Sequence, residues 1–430
     1  MATAIFEVDN SVFERKALAW AQQFEEICYL QSNGYHDEYS SVDSLLAVEA
    51  TYTVQATGKN CFTKLEKFKA EYPNNWMLGF FNYDLKYDLE DLVSPFVNFL
   101  EFPDIFFFIP KTILKFYKNQ VEIASNDPSQ VFNAINNFTA DPVNLDTSKS
   151  FTFEKRFTKS QYMEAFDKMI GHIRRGDIYE VNLCQEFFAE ESQINALEVY
   201  RKLNEVSPTP FSTFFKLKDK YILSASPERF LAKRENILIS QPIKGTAKRG
   251  KNQLEDLEII KQLQSNPKEI AENVMIVDLV RNDMTRSAKP GSVAAERRLE
   301  VHTFKQVHQL ISTITCIQND EISDIQAIAN IFPPGSMTGA PKISAMKICD
   351  NLEASRRGVY AGAVGYFAPN GDFDFNVVIR TLLYNATKKY LSFHTGGAIT
   401  IDANAESEYQ ECLLKASAIL KTLDATLKED

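Results

Sequence analysis

Short apolar runs separated by short polar turns constrain the fold of this 430-residue chain most strongly. Runs such as WMLGFFNY (76–83), IFFFIP (105–110) and YILSAS (221–226) have the length and the aromatic or branched content of β-strands. Strands that follow one another after short turns pair antiparallel. Helical periodicity occurs between them, so the sequence predicts an α+β fold with mostly antiparallel sheets.

Four further segments are predicted to be helices. Apolar residues recur at helical spacing from 162 to 173, after a capping box that begins at Thr158. Pro267 and Pro341 stand where the first turns of two more helices are expected. A last helix is predicted from about 406 to 422.

The chain is predicted to contain two regions. Residues 1–145 are rich in aromatic residues and favour strands with few helices, and a polar stretch that ends near Ser150 is a candidate boundary. Residues 150–425 contain the four predicted helices and the motifs considered next.

Charge and cysteine usage exclude several classes of function. The formal net charge is −10, whereas nucleic-acid binders need a basic surface that replaces phosphate counterions. The six cysteines form no C-x-x-C pair and no cluster with histidine, which argues against a zinc site and a disulfide framework. The sequence has no apolar signal segment and no apolar stretch long enough to span a membrane. These features predict a cytoplasmic protein without a nucleic-acid or membrane partner.

The segment QPIKGTAKRGKN (241–252) contains a near-match to the phosphate-binding loop G-x-x-x-x-G-K-[ST]. Asn252 stands where that loop needs a hydroxyl for magnesium. The downstream run VMIVD (274–278) has its apolar residues on one face of the helix that Pro267 begins, so it is not the strand that the nucleotide interpretation requires. We therefore predict a solvated turn rather than a nucleotide site.

Two pairs of glutamates are candidate metal ligands. Glu269 and Glu272 lie three residues apart on one predicted helix, and Glu408 and Glu411 lie three apart on the last one, so each pair projects from one face. Mg²⁺ prefers such oxygen ligands and uses few protein carboxylates. A solvated helix face is the alternative for each pair.

Two cations and one loop are candidate anion sites. Arg380 lies inside the apolar run VVIRTLLY (377–384), where an unpaired cation is costly, and Lys415 follows Glu411 by one helical turn. A structural ion pair or a carboxylate-bearing substrate would each satisfy such a cation. The loop PPGSMTGAPK (333–342) precedes a helix, where backbone N–H groups bind an anion or simply cap the helix.

These motifs together resemble one family, the chorismate-utilising enzymes, and within it the synthase subunits that make aminodeoxychorismate. The resemblance spans about residues 150–425 and is carried by GDIYEVNLCQ (176–185), SPERF (226–230), PIKGT (242–246), AENVMIVDLVRND (271–283), VHQLISTI (307–314), PPGSMTGAPK (333–342), RRGVYAGAVGY (356–366), FNVVIRT (375–381) and ESEYQECLLKA (406–416). Residues 1–145 resemble the N-terminal region of such subunits more loosely. The resemblance implies an αββα sandwich of two large, mostly antiparallel sheets, with both regions packed as one compact unit.

The resemblance also implies roles for individual residues. Glu272 and Glu411 would hold Mg²⁺, with Glu269 and Glu408 in support, and the metal would bind the ring carboxylate of chorismate. The remaining positions that match the family's substrate pocket are Tyr360, Arg380 and Lys415, which contact substrate carboxylates, and Thr338, Gly396 and Gly397, which shape the ring pocket.

Two residues match the family's catalytic positions. Glu228 would act as the general acid for the departing ring hydroxyl, which needs a carboxyl with a raised pKa; an ion pair with Arg229 is the alternative. Lys244 would attack ring carbon C2, after which ammonia enters at C4. For this step the amine must be neutral, so the pKa of Lys244 has to fall through desolvation or through the nearby metal.

Three positions depart from the family pattern. Glu180 stands where relatives often have Gln and where water-adding members have a Lys that activates water. The absence of that Lys argues against water addition, and action of the acidic residue on an incoming nucleophile is the alternative. Gln309 replaces a frequent His and has His308 beside it, and Ala398 replaces a glycine of the pocket. The roles of Glu180, His308 and Gln309 stay open at this point.

The function that the resemblance implies is amination of chorismate at C4, in the synthesis of para-aminobenzoate and folate. No glutaminase nucleophile motif is recognisable, so ammonia is expected from a separate glutamine amidotransferase partner. Anthranilate synthesis is the alternative if Lys244 is not a nucleophile. A non-catalytic, chorismate-binding regulatory protein is a further alternative.

Overall fold

A computed structural model describes residues 1–139 and 151–429. The strands are β1 (Ala2–Glu7), β2 (Glu26–Gln31), β3 (Ser44–Ala56), β4 (Met77–Phe81), β5 (Ile105–Tyr117), β6 (Gln120–Ser125), β7 (Thr152–Lys155), β8 (Glu180–Ala189), β9 (Phe211–Leu217), β10 (Lys220–Ser226), β11 (Arg229–Arg234), β12 (Ile237–Gln241), β13 (Ile243–Lys248), β14 (Ala294–Thr303), β15 (Val307–Ile317), β16 (Gly339–Ala340), β17 (Ala363–Phe367), β18 (Phe373–Val377), β19 (Thr381–Asn385), β20 (Tyr390–Ile399) and β21 (Thr426–Leu427). The helices are α1 (Asn10–Ala21), α2 (Cys61–Glu71), α3 (Lys86–Leu89), α4 (Pro128–Asn137), α5 (Lys159–Arg174), α6 (Ala196–Val206), α7 (Gln253–Ser265), α8 (Pro267–Thr285), α9 (Asp324–Ile331), α10 (Lys342–Leu352) and α11 (Ala405–Leu423).

The strands form two branches that meet at the long strand β5, which pairs with β3, β4 and β6. One branch runs β1-β6-β5-β3-β2-β9-β10-β19-β20-β8, and the other runs β5-β4-β17-β18-β11-β12-β15, with β13 and β14 also paired to β15. All of these pairs are antiparallel, and β7 with β21 forms the parallel pair of the described residues. The prediction of mostly antiparallel sheets is confirmed.

An aromatic core lies between the two branches. Phe80 of β4 meets Phe215 of β9 edge to face, with ring centroids 5.4 Å apart. The next residue, Phe81, points to the opposite face and stacks on Phe62 of α2, as the two-residue period of a strand requires. Helices α1, α6 and α11 bury apolar residues against the outer face of the branch that contains β2, β9 and β10. The layer order helix, sheet, sheet, helix is the predicted sandwich.

The helices predicted from periodicity and capping are confirmed. Thr158 and Gln161 form a capping box at the start of α5. Helix α8 begins at Pro267, with Asn266 as its N-cap, and α11 spans Ala405–Leu423. Pro341 lies one residue before α10 rather than inside its first turn.

Two predictions about local structure are wrong. Residues 1–139 contain α1, α2 and α4, each of ten or more residues, in place of few helices. The run around Arg380 is two strands, because the chain turns between β18 and β19. The candidate boundary near Ser150 lies outside the described residues, and the division into two regions stays a prediction. Among the described residues, no helix combines the length and apolarity that a membrane span requires.

Candidate active site

Lys244 lies in β13 and forms a buried ion pair. Its Nζ donates to Oε1 of Glu180 at 2.6 Å, and the two side chains are 11% and 7% exposed. Burial disfavours the charged amine, but the Glu180 carboxylate, with Glu272 and Glu228, outweighs burial and raises the pKa of Lys244. The expected fall in this pKa is therefore not found: the lysine is held as an ammonium.

Gly245 allows a carboxylate to approach the chain beside Lys244. Its φ of 94° lies in the left-handed region that favours glycine. A Cβ at this position would lie 2.9 Å from Cδ1 of Leu310 and 3.0 Å from Oε2 of Glu269. The glycine of PIKGT therefore serves the packing of β13 against α8 rather than phosphate binding.

Glu228 lies in the short link between β10 and β11 and is 4% exposed. Burial raises its pKa to about 7, against smaller opposing effects of the Ser336 hydroxyl, Lys244 and Arg380. A carboxyl that keeps its proton near neutral pH suits a general acid. The raised pKa that this role requires is thus present.

Arg229 does not form the alternative ion pair with Glu228. Its guanidinium contacts Asp37 at 2.6 Å and Asp374 at 3.1 Å, and it is 2% exposed. That interpretation of Glu228 is wrong, because Arg229 points away into its own carboxylate cluster.

Arg380 occupies the turn between β18 and β19 with a φ of 51°. Its carbonyl accepts from the N–H of Ala225, 3.2 Å away, and no described side chain forms an ion pair with its guanidinium. Burial lowers the pKa of Arg380, and the charge of Glu228 opposes this. The charge of Glu228 thus acts on the Arg380 guanidinium, which is a group suited to a ligand carboxylate.

The two predicted glutamate pairs come together from α8 and α11. Glu408 is 4% exposed, and burial, followed by the charge of Glu411, raises its pKa to about 7. Nζ of Lys268 lies 3.8 Å from Oε1 of Glu272 and 3.9 Å from Oε1 of Glu408. A lysine ammonium therefore bridges carboxylates of the two helices. Burial also raises the pKa of Glu269.

The cluster consists of carboxylate oxygens, the ligand type that Mg²⁺ prefers, and the predicted Mg²⁺ site stays a prediction. No group of three or more His, Cys, Asp or Glu side chains converges as a metal cage in residues 1–139 and 151–429. Mg²⁺ needs only one or two carboxylates, because water and substrate oxygens complete its shell. The glutamates of the cluster repel one another, and the ammonium of Lys268 lies between two of them. Both features favour binding of a cation at this position.

Of the predicted pocket residues, Lys415 and Gly397 lie against this glutamate cluster. Lys415 donates to the carbonyl of Gly396 and to Glu411, each at 2.8 Å. Gly396 pairs with Cys184 of β8 in the sheet register, and Cys184 also lies against the Tyr360 hydroxyl. The remaining members, Thr338 and Gly397, are buried in the loop before β16 and in β20, respectively.

A buried ion pair that was not predicted from the sequence supports this pocket. Arg357 donates to Glu353 at 2.6 Å and to the carbonyls of Met337 and Asn182 at 2.6 and 2.8 Å. Glu353 in turn accepts from the Cys184 N–H at 3.0 Å. The spacing of four between Glu353 and Arg357 was visible, but it is equally common on exposed helices.

The glycine and lysine of the near-match loop contact acidic side chains of their own chain. Asp256 accepts from the N–H of Gly250 at 2.6 Å, and Glu255 accepts from the N–H of Lys251 at 2.7 Å. Asn252 is the N-cap of α7. Acidic side chains occupy the donors that a phosphate would need, which agrees with the predicted turn.

His308 and Gln309 have different surroundings. His308 is buried, and its ring lies 2.9 Å from Thr303 Oγ1 and 3.0 Å from Asp256 Oδ1. It therefore ties β15 to α7 rather than facing Lys244. Gln309 is buried beside Thr246, two residues after Lys244.

Residues 25–421 match the family described as chorismate binding enzymes, and the chain belongs to this family. Aminodeoxychorismate synthase component 1 of Klebsiella aerogenes is 35% identical to it over 350 residues, which are 81% of this chain and 77% of that protein. Aminodeoxychorismate synthase of Streptomyces griseus is 41% identical over 273 residues, or 63% of this chain. The chain spans only 37% of the length of the Streptomyces relative.

The fold is likewise that of a solved relative. The crystal structure of anthranilate synthase component I from Streptococcus pneumoniae TIGR4 matches with a TM-score of 0.76 at 25% identity, covering 90% of this chain and 95% of that one. The two-sheet sandwich and the family match therefore agree.

Proposed function

We propose that this protein aminates chorismate at C4, giving 4-amino-4-deoxychorismate from chorismate and ammonia. The observation that carries the proposal is Lys244, a lysine in PIKGT whose side chain is only 11% exposed and hydrogen-bonds to Glu180. The charges of Lys244 and Glu228 also affect each other's pKa. The similarity to aminodeoxychorismate synthases supports the same reaction.

The chain's residues divide the chemistry between them. Lys244, once neutral, attacks C2 of the ring while the hydroxyl at C4 leaves. Glu228 gives its proton to that hydroxyl, so that water departs instead of hydroxide. Ammonia then attacks C4, and Lys244 leaves from C2. Arg380 binds a carboxylate of the substrate and holds the ring between the two catalytic groups.

We also propose that Mg²⁺ is the cofactor, held by Glu272 and Glu411 with Glu269 and Glu408 in support. When bound, it would neutralise the ring carboxylate of chorismate. The fit of the carboxylate cluster to an oxygen-binding cation supports this assignment. Lys268 and Lys415 contact members of the cluster. Their ammonium groups would move away from the glutamates when the cation binds.

We propose that ammonia comes from a separate glutamine amidotransferase. Support comes from the name of the Klebsiella relative, component 1, which implies a second component. We place the reaction in para-aminobenzoate and folate synthesis in the cytosol, where the six free, buried cysteines would remain reduced.

The test is incubation of the protein with chorismate, Mg²⁺ and an ammonium salt, followed by mass spectrometry of the product. We expect 4-amino-4-deoxychorismate from the wild type and its loss in Lys244→Ala. Anthranilate as the main product would contradict the proposal and favour the alternative reaction. Bound but unconverted chorismate would favour a regulatory protein.

A further inference from the structure

Glu180 has a position that points to a catalytic role. It is the first residue of β8, and its Oε1 lies 2.6 Å from Nζ of Lys244, with both side chains nearly buried. A carboxylate at this distance is placed to take a proton from the amine directly. We propose that Glu180 is the base that removes a proton from Lys244 before the attack on chorismate and returns it after Lys244 leaves. This inference rests on the proposed function.

The other carboxylates near Lys244 have different assignments. Glu228 must carry a proton to act as the acid for the departing hydroxyl. Glu269 and Glu272 of α8 and Glu411 of α11, whose pKa values the charge of Lys244 also lowers, are assigned to the metal site. Glu180 is the neighbour that hydrogen-bonds to the amine itself, so it is the acceptor that requires no rearrangement.

The backbone of Glu180 is held firmly. Ala340 of β16 pairs with it, and a Cβ at the preceding Gly339 would lie 2.2 Å from the Glu180 carbonyl oxygen. On its other side β8 pairs with β20, where Val181 is opposite Ile399. A proton acceptor fixed in this way keeps its distance to Lys244 without further ordering.

The proton count closes over the cycle. Glu180 takes one proton from the Lys244 ammonium; the Nζ–C2 bond forms as the C4–O bond breaks, and a proton from Glu228 makes the leaving group water. Ammonia then forms the C4–N bond as C2–Nζ breaks, and Glu180 returns its proton to the departing amine. The new ammonium at C4 gives one proton to Glu228. The sum is chorismate plus ammonia giving 4-amino-4-deoxychorismate plus water.

The test measures how fast chorismate attaches to Lys244 when ammonia is left out. Intact-protein mass after rapid quenching, with chorismate and Mg²⁺ at pH 7 and pH 9, should show a gain of chorismate minus one water. In Glu180→Gln, which keeps the shape but accepts no proton, we expect this step to be at least about 100-fold slower at pH 7. The difference in adduct rate between Glu180→Gln and the wild type should be smaller at pH 9, where hydroxide can remove the proton from Lys244.

Two further variants make the comparison specific. Glu190→Gln, an exposed glutamate just beyond the other end of β8, should react like the wild type. Glu180→Asp keeps the acid but withdraws it by about 1.5 Å, so its rate should fall between those of the wild type and Glu180→Gln. Circular dichroism checks that each variant is folded, and Glu180→Asp carries the test if Glu180→Gln does not fold.

The outcomes separate this inference from the proposed function. An equal or faster adduct rate in Glu180→Gln at pH 7, with a normal adduct in the wild type, overturns the role of Glu180 alone, because the ion pair would then merely restrain Lys244. Absence of any adduct in the wild type, with full turnover in Lys244→Ala, overturns the covalent route and this inference with it.

Discussion

The carboxylate of Glu408 lies directly over Gly397, because a Cβ on Gly397 would come 2.7 Å from Oε2 of Glu408. The φ of Gly397 is not in the left-handed region, so the glycine provides space rather than an unusual backbone conformation. That space is what lets α11 bring its carboxylates down onto β20.

Gly397→Ala should therefore displace Glu408 and weaken the proposed metal site. We expect about 10- to 100-fold more Mg²⁺ for half-maximal chorismate turnover, the usual cost of losing a group that supports a ligand. A Mg²⁺ titration of activity measures this. Gly171→Ala, on α5 with its nearest atom at 3.6 Å, is the matched control, and an unchanged midpoint in Gly397→Ala would count against the site.

Arg380→Met should separate binding from stability. Arg380 is partly buried and forms no ion pair with a described side chain, and burial lowers its pKa, so its removal should leave the free energy of unfolding unchanged or higher. Chorismate binding should weaken by about 10- to 100-fold, since a charged hydrogen bond to the substrate is lost. Isothermal titration and urea unfolding on the same samples measure both, and a strongly destabilised variant would show that Arg380 is structural.

Glu228→Gln should change how stability depends on pH. The folded-state pKa of Glu228 is raised from 4.5 to about 7, so the native protein keeps a proton that the unfolded chain loses between these values. Wild-type stability therefore falls as pH rises through this window. The variant lacks this titration and should gain up to about 3 kcal/mol relative to the wild type between pH 4.5 and 8. Urea unfolding at several pH values measures the difference; a constant difference would show that the pKa is not raised.

Arg229→Met should destabilise the fold strongly. It removes the cation that lies between Asp37 and Asp374, so Asp37 loses this ion pair and Asp374 keeps only Arg234, and breaking such a cluster costs about 3–5 kcal/mol. Arg297→Met removes an exposed pair with Glu38 and should cost at most about 1 kcal/mol. Urea midpoints of the two variants test this, and equal losses would contradict it.

Helices were predictable where the sequence carries its own boundaries. The capping box at Thr158 and the proline at 267 fix the starts of α5 and α8 by local hydrogen bonding, which requires no tertiary information. The break at Arg380 was not predictable, since the run on both sides of it is continuously apolar. The N–H of Ala225, distant in sequence, hydrogen-bonds to the Arg380 carbonyl in the folded protein.

The site was predictable residue by residue but not as an arrangement. The spacing in α8 and α11 identified the glutamates, yet nothing in the sequence placed Lys268 between Glu272 and Glu408. The predicted fall in the pKa of Lys244 was also wrong, because the prediction included desolvation of the amine but not the carboxylate that pairs with it. That partner, Glu180, is 64 residues away in the sequence.

Asp256 anchors the segment that follows Lys244 in the chain. Arg249 and His308 both hold Asp256, which in turn holds the Gly250 N–H. These hydrogen bonds anchor the C-terminal end of β13 to α7, outside the pocket. Because β13 also carries Lys244, we expect a substitution at Asp256 to shift the lysine and lower activity from outside the pocket.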